Sequence, residues 1–261
     1  MRKKRTINTS TYIISLLVMF SIGATVHAKE AQSLTADEII KKVDEVSISQ
    51  SSKGVMAQTI TTTGGSKRTM EMESYSKDGT DKQLTKYIKP ARVKGESMLM
   101  LNDGNDIWYY SPRTDRVRKI ASNAKKKKVM GSDFSYEDMA AGKMAEKYTS
   151  TLIGEKKEQG QKCYVLEMIP TPDGPSYLKI KAWVDKETFV SVRVDYWNKG
   201  EKPFKRLIIS DVKEIDGHIT PMKYVMTNLK EGSVTAMEVK EMSYDIELKD
   251  SLFTERNLKR R

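Results

Sequence analysis

Residues 97–110 read SMLMLNDGNDIWYY, two short apolar runs separated by Asn-Asp-Gly-Asn. Asp-Gly between apolar runs is a strong signal for a tight β-hairpin, because both central positions of a type I′ turn need a positive φ. With Asp103 and Gly104 as that central pair, Leu101 faces Asp106, Met100 faces Ile107, Leu99 faces Trp108 and Met98 faces Tyr109. Side chains alternate along a strand, so Met98, Met100, Ile107 and Tyr109 share one face while Leu99, Leu101, Trp108 and Tyr110 share the other. Both faces are apolar. A hairpin open to water on one side would show polar residues there, so this one is expected to be covered twice.

Outward from this hairpin the pattern repeats. From about Val55 to Tyr244, short β-like runs such as RTMEMESY, KCYVLEMI, YLKIKAWVD and VSVRVDYW alternate with turn signals at Gly64-Gly65, Asp78-Gly79, Gly160, Asn198-Lys199-Gly200, Asp216-Gly217 and Glu231-Gly232. Ten or more strands with tight turns, and no long helical pattern between them, predict a meandering antiparallel sheet rather than a βαβ arrangement. Two short helices are available as covers. Thr35 and Glu38 make a capping box, with Leu34 stapled to Ile39 and with Ile39, Val43 and Val46 along one face. Ser135 and Asp138 repeat the device, with Phe134 stapled to Met139, and Gly142 ends that helix early.

The chain has 261 residues, 38% hydrophobic and 31% charged, with 46 Lys+Arg against 35 Asp+Glu and one Cys. That composition excludes wholesale disorder and an intrachain disulfide scaffold. The basic start MRKKR, the uncharged stretch 11–25 and the small residues Val26 and Ala28 predict a secretory signal peptide over 1–28, cleaved after Ala28. Lys29 stands where a bacterial lipoprotein carries its acylated cysteine, so no lipid anchor is expected. Cleavage would remove Arg2, Lys3, Lys4 and Arg5 and no acid, lowering the formal charge from +11 to +7. Export takes the chain away from the genome, and a nucleic-acid role loses its main support.

No nucleophile elbow, phosphate-binding loop, dinucleotide fingerprint or zinc-protease motif occurs, and no His/Cys/carboxylate cluster has metal spacing. His218, in an Asp-Gly turn, reads as a solvated side chain, and Cys163, in KCYVLEM, as a small buried residue. Neither an enzyme nor a bound cofactor is expected. Glu137-Asp138 is accounted for by a helix start, where acids are favoured. The run 125–128 reads as a solvated loop, or alternatively as a contact for anionic headgroups or an acidic partner. Thirteen methionines lie beyond the leader, with Met70/Met72 and Met98/Met100 paired along single strand faces. Such pairs make a deformable apolar surface suited to a partner of variable shape.

The segment DGNDIWYYSP at 103–112, the run 116–120 and MGSDFSYEDM at 130–139 together resemble the LolA-like superfamily, in its outer membrane lipoprotein-sorting branch. Pro90 with Lys94-Gly95, AWVDKET at 182–188 and LFTERNL at 252–258 support the likeness. The resemblance implies a mainly β fold: an unclosed, curved antiparallel half-barrel with a helical lid, here a single domain over 29–261. It further implies a monomeric periplasmic carrier that binds acyl chains of lipoproteins or lipids and shuttles them towards the outer membrane. An inner-membrane RND/MMPL-type exporter as partner and transient contact with a membrane surface follow from it too. The alternative is an RseB-like lipid sensor. Candidates for the cavity and lid are Met70, Met72, Met98, Met100, Ile107, Trp108, Tyr110, Phe134 and Met139.

Overall fold

In the computed structural model, residues 34–140 and 142–260 are described; the expected signal peptide lies outside them. After helix α1 (Ala36–Ser47) come six strands: β1 (Ser51–Thr61), β2 (Lys67–Lys77), β3 (Lys82–Lys89), β4 (Ser97–Leu101), β5 (Asp106–Ser111) and β6 (Arg116–Lys119). A connection holding α2 (Tyr136–Met139) and α3 (Met144–Lys147) leads to β7 (Tyr148–Glu158), β8 (Gln161–Pro170), β9 (Lys179–Asp185), β10 (Ser191–Trp197), β11 (Lys205–Ile215), β12 (His218–Asn228) and β13 (Val234–Tyr244). Helix α4 (Glu255–Leu258) closes the described chain. Among the described residues no helix is long and apolar enough to cross a membrane.

All thirteen strands form one antiparallel sheet in the order β6-β5-β4-β3-β2-β1-β13-β12-β11-β10-β9-β8-β7. This is two meanders rather than one. The first runs outward from β1 to β6, and the second runs inward from β7 to β13, which pairs back onto β1 over ten register positions. Gly54 sits at that seam, where an added Cβ would come 3.0 Å from the Glu241 carbonyl oxygen. Register shifts at Val55/Met56, Glu71/Met72, Leu152/Gly154 and Ser191/Arg193 bend the strands, as bulges do, and the sheet curves into a half-barrel that does not close.

The hairpin register is the expected one, Met98↔Tyr109, Leu99↔Trp108, Met100↔Ile107 and Leu101↔Asp106. Asp103 and Gly104 take φ of 54° and 79°, the type I′ signs, and Asn105 N donates to Asn102 O at 3.0 Å. Both faces are covered, but not by the two expected helices alone. On the lidded face Met98, Met100, Ile107 and Tyr109 pack with Ile120, Val129 and Tyr136 of the β6–β7 connection. On the opposite face Leu99 and Tyr110 pack with Phe253 and Leu258 of the C-terminal segment, which local pattern had not marked as a cover. Helix α1 lies elsewhere, with Ile39, Ile40 and Val43 in the main core beside Met70, Met72, Leu166, Met168 and Met226. Both capping boxes form as expected, Thr35 with Glu38 and Ser135 with Asp138.

Candidate functional site

The β6–β7 connection joins the two outermost strands of an open sheet, so it has to span the mouth of the half-barrel. It is the lid. Its underside is apolar: Phe134 is buried in the main core, and Met130, Met139 and Met144 pack against it. Fully burying a side chain of this kind contributes about 1.5–3 kcal/mol. Its edges are polar and tied to the sheet at both ends.

At the near end, Lys125 Nζ donates to the carbonyls of Gly104 (3.1 Å) and Asn105 (2.8 Å), and Lys147 Nζ to that of Asp103 (3.0 Å). Both lysines thus grip the turn that opened the sequence reading. Lys125, expected in a solvated loop, is instead a lid anchor, and burial pushes its pKa down. At the far end, the buried Asp133 carboxylate accepts from Ser233 Oγ (2.6 Å) and Thr235 Oγ1 (2.8 Å) at the start of β13. Lys128 pairs with Glu231 at 2.5 Å, and Glu137 accepts from Ser176 N (3.0 Å) and Oγ (2.9 Å).

A further tie is a buried ion pair between Asp138, on α2, and Lys205, on β11, with side chains only 3% and 6% exposed. Tyr177 OH donates to Asp138 Oδ1 at 2.5 Å and itself accepts from Lys205 Nζ at 2.6 Å. The ammonium lies 4.8 Å from the ring centroids of both Tyr177 and Tyr196 and 5.7 Å from that of Phe204, an aromatic cage of cation–π geometry. Burial, reinforced by the Asp138 carboxylate, holds the Tyr177 phenol well above its ordinary pKa, so it remains a donor. Asp138, read from sequence as a helix-start acid, keeps that role through Ser135 N (2.7 Å) and adds the latch. Behind the lid, Asp44 of α1 accepts from the backbone N–H groups of Met144 (2.7 Å) and Ala145 (3.0 Å), which fixes α3.

Seven of the nine sequence candidates share this side of the sheet: Met70, Met72 and Phe134 in the main core, Met98, Met100 and Ile107 in the adjoining cluster, and Met139 packed against both. Trp108 and Tyr110 do not join them. Strand alternation turns both to the opposite face, under the C-terminal segment. On the concave face Met70, Met72, Met98, Met100 and Ile107 pack against the lid. Of the nine residues only Tyr110 borders any of four cavities lined by described residues. Amid the apolar interior, Gln58 Oε1 and Tyr87 OH are buried with no hydrogen-bond partner among the described residues. Lys205, Tyr177 and Asp133 were missed by sequence reasoning; Lys205 opens β11 directly beside Arg206, and no local signal sets it apart from a solvated lysine.

Elsewhere, His218 is not a free turn residue: it stacks on Tyr244 (centroids 4.4 Å apart) with Nε2 2.9 Å from Asp245 Oδ2. It borders a small apolar cavity of about 180 Å³ under the end of α1. Cys163 is fully buried among Val165, Trp183 and Val192, and burial pushes its thiol pKa up. No group of three or more His, Cys, Asp or Glu placed to hold a metal occurs among the described residues.

A chain of this fold has counterparts among known proteins. A family model described as an uncharacterized protein matches residues 79–260. A DUF1329 family protein from Desulfovibrio piger is 31% identical with a TM-score of 0.80, over 85% of this chain and 97% of that one. A domain assigned to outer membrane lipoprotein sorting, from Vibrio parahaemolyticus, is 27% identical with a TM-score of 0.78, over 86% and 98%. A LolA superfamily protein from Nitrosomonas europaea shares the fold at 21% identity, with a TM-score of 0.72 over 86% and 99%. The chain belongs to the DUF1329 family and has the fold of the LolA superfamily protein. In this chain the segment 130–139 that carried much of the sequence resemblance is the far half of the lid and includes Asp133, Glu137 and Asp138. An uncharacterized protein of Methanocaldococcus jannaschii is 26% identical over 188 residues, 70% of this chain and 51% of that protein. The chain therefore spans about half the length of this curated relative.

Proposed function

We propose that this chain is a periplasmic carrier that holds acyl chains of lipoproteins or free lipids between the concave face and the strap. One observation carries the reading: the methionine-rich concave face is covered by a separate segment, fastened by side-chain ties at its edges rather than by strand pairing. Such a cover can be exchanged for a ligand without breaking the sheet. Each methylene entering the space vacated by Phe134 and Met139 would gain about 0.8 kcal/mol, offset by the strap's lost burial. Methionine adapts to a chain of variable shape. Gln58 and Tyr87 would find partners in a lipid's hydroxyl or amide groups, relieving a penalty of about 1–3 kcal/mol per unmade bond. No covalent step is involved.

The reading includes export after cleavage at Ala28, delivery towards the outer membrane and an RND/MMPL-type exporter as the membrane partner, as the superfamily resemblance implies. The test is native mass spectrometry of protein purified from the periplasm, with uptake of a fluorescent fatty acid measured alongside. Co-purified lipid and saturable uptake are expected; the absence of both would sink the carrier. Capture of an anti-sigma factor in place of an exporter would transfer the same cavity to an RseB-like sensor.

A further inference from the structure

Antiparallel order sends the connections 62–66, 90–96, 112–115, 171–178, 198–204 and 229–233 to one rim of the half-barrel, and 78–81, 102–105, 159–160, 186–190 and 216–217 to the other. The second rim is acidic, with Asp78, Asp81, Asp103, Glu187 and Asp216 against Lys186. The first differs where it adjoins the lid latch. There Leu178 is 54% and Leu229 42% exposed, at the start of β9 and just past the end of β12. Leu178 N bonds Trp197 O and Leu229 N bonds Phe204 O, so three inter-strand spacings, roughly 14 Å, separate the two leucines. Between and beside them Lys199, Lys202 and Lys230 are exposed. A cavity of about 350 Å³ opens at the same place, bordered by Lys126 and Lys128 of the strap, by Asn198, Phe204 and Asn228, and by the latch residue Lys205. Asp133 and Glu137, which also line the cavity, and Asp173, Glu201 and Glu231 are the acids nearby; Asp133 is taken up by Ser233 and Thr235, Glu137 by Ser176 and Glu231 by Lys128.

We infer that this rim docks on the surface of a bilayer containing anionic phospholipid, with Leu178 and Leu229 entering the interfacial layer and Lys199, Lys202 and Lys230 facing the headgroups. Isolated surface leucines need no explanation, but two of them set among exposed lysines along one stretch of rim match how interfacial segments bind. Lysine is depleted in protein–protein interfaces, whereas clustered lysines gain from an anionic leaflet. Docking this way brings the Asp138–Lys205 latch to the lipid surface and leaves the acidic rim facing away from it. The inference takes its purpose from the carrier reading, but its test is independent of it.

Co-sedimentation with vesicles of phosphatidylethanolamine and phosphatidylglycerol is compared with vesicles of phosphatidylcholine alone. Binding is expected to the anionic vesicles and to weaken with salt. Leu178→Glu with Leu229→Glu, and separately Lys199→Glu with Lys202→Glu and Lys230→Glu, should each lower it by about tenfold or more. Both variants should keep the wild-type circular dichroism spectrum and fatty-acid uptake in vesicle-free solution, since none of the five side chains belongs to the core. Equal binding by wild type and variants, or none by wild type, overturns the proposal. So does a rim that ignores vesicles but is required for binding a purified exporter domain, which would assign it to a protein partner. Vesicle binding by a protein that takes up no fatty acid would sink the carrier reading and leave docking standing.

Discussion

On the lidded face of the β4–β5 hairpin the cover is the strap 120–147, held at its edges by Asp138–Lys205, Asp133 with Ser233 and Thr235, and two lysines on the 102–105 turn. On the opposite face the cover is the C-terminal segment, held mainly by Phe253 and Leu258 driven between Leu84, Leu99 and Tyr110, with Ser97 Oγ donating to Leu258 O at 2.9 Å. Apolar packing is non-directional and releases only when the whole contact is exposed. A latch of charges is directional, and it fails when one partner is engaged elsewhere. On the carrier reading proposed above, the first cover is the one that opens and the second the one that stays shut.

The contrast can be broken most severely at Phe253. Phe253→Ala should cost about 3–5 kcal/mol in urea unfolding while leaving fatty-acid uptake per folded molecule unchanged. Asp138→Asn leaves Lys205 buried without its counter-charge and should cost about 3–5 kcal/mol, but here with faster amide exchange across 130–139 and faster uptake. Adding Lys205→Met to Asp138→Leu should recover most of the stability, because a well-packed apolar pair often equals a buried ion pair. If Asp138→Asn alters neither exchange nor uptake, the strap is not latched there. Asp133→Ala, which strands the hydroxyls of Ser233 and Thr235, should cost about 1–3 kcal/mol, with exchange rising first in 130–134.

Two buried carboxylates sharpen the comparison through pH. Burial alone would raise the pKa of Asp195, in the sheet, but hydrogen bonds from Arg206 and Arg193 outweigh it and hold the carboxyl below its usual range. The unfolded chain then takes up the proton first, so this stabilisation is complete above about pH 3.9 and is lost as pH falls through the lower folded value. Asp44, behind the lid, is the reverse: burial raises its pKa despite the N–H groups of Ala145 and Met144. Its burden is full above the raised folded value and fades as pH falls from there towards about 3.9. On acidification the stability difference between wild type and Asp195→Asn should therefore shrink, and that between wild type and Asp44→Asn should grow in favour of wild type. The smallest effect belongs to Thr35→Ala, an exposed cap on α1, at about 1 kcal/mol and with no change in uptake.

Much of the fold was legible locally. The type I′ signs at Asp103-Gly104 set the hairpin register, and a period of two assigned its faces, including the turning of Trp108 and Tyr110 away from the other candidates. Both capping boxes were legible because each joins residues three apart. Helix α3 was not, since it starts without a side-chain cap and its first N–H groups are satisfied by Asp44, a hundred residues away. The latch was hidden for the same reason, with 67 positions between Asp138 and Lys205. Nothing in the local pattern marks that lysine as buried rather than solvated.

By itself, then, the sequence determined strands, turns, caps and the two-sided apolar character of the hairpin, because those follow from steric and hydrogen-bonding preferences between near neighbours. Only the tertiary structure decided that two meanders meet at β1 and β13, that their outer edges are bridged by the strap, and that its acids reach Lys205, Ser233 and Thr235. Those contacts depend on closing loops of sixty residues or more. They form only when the curvature of the whole sheet brings their ends together, an outcome no short window of sequence contains.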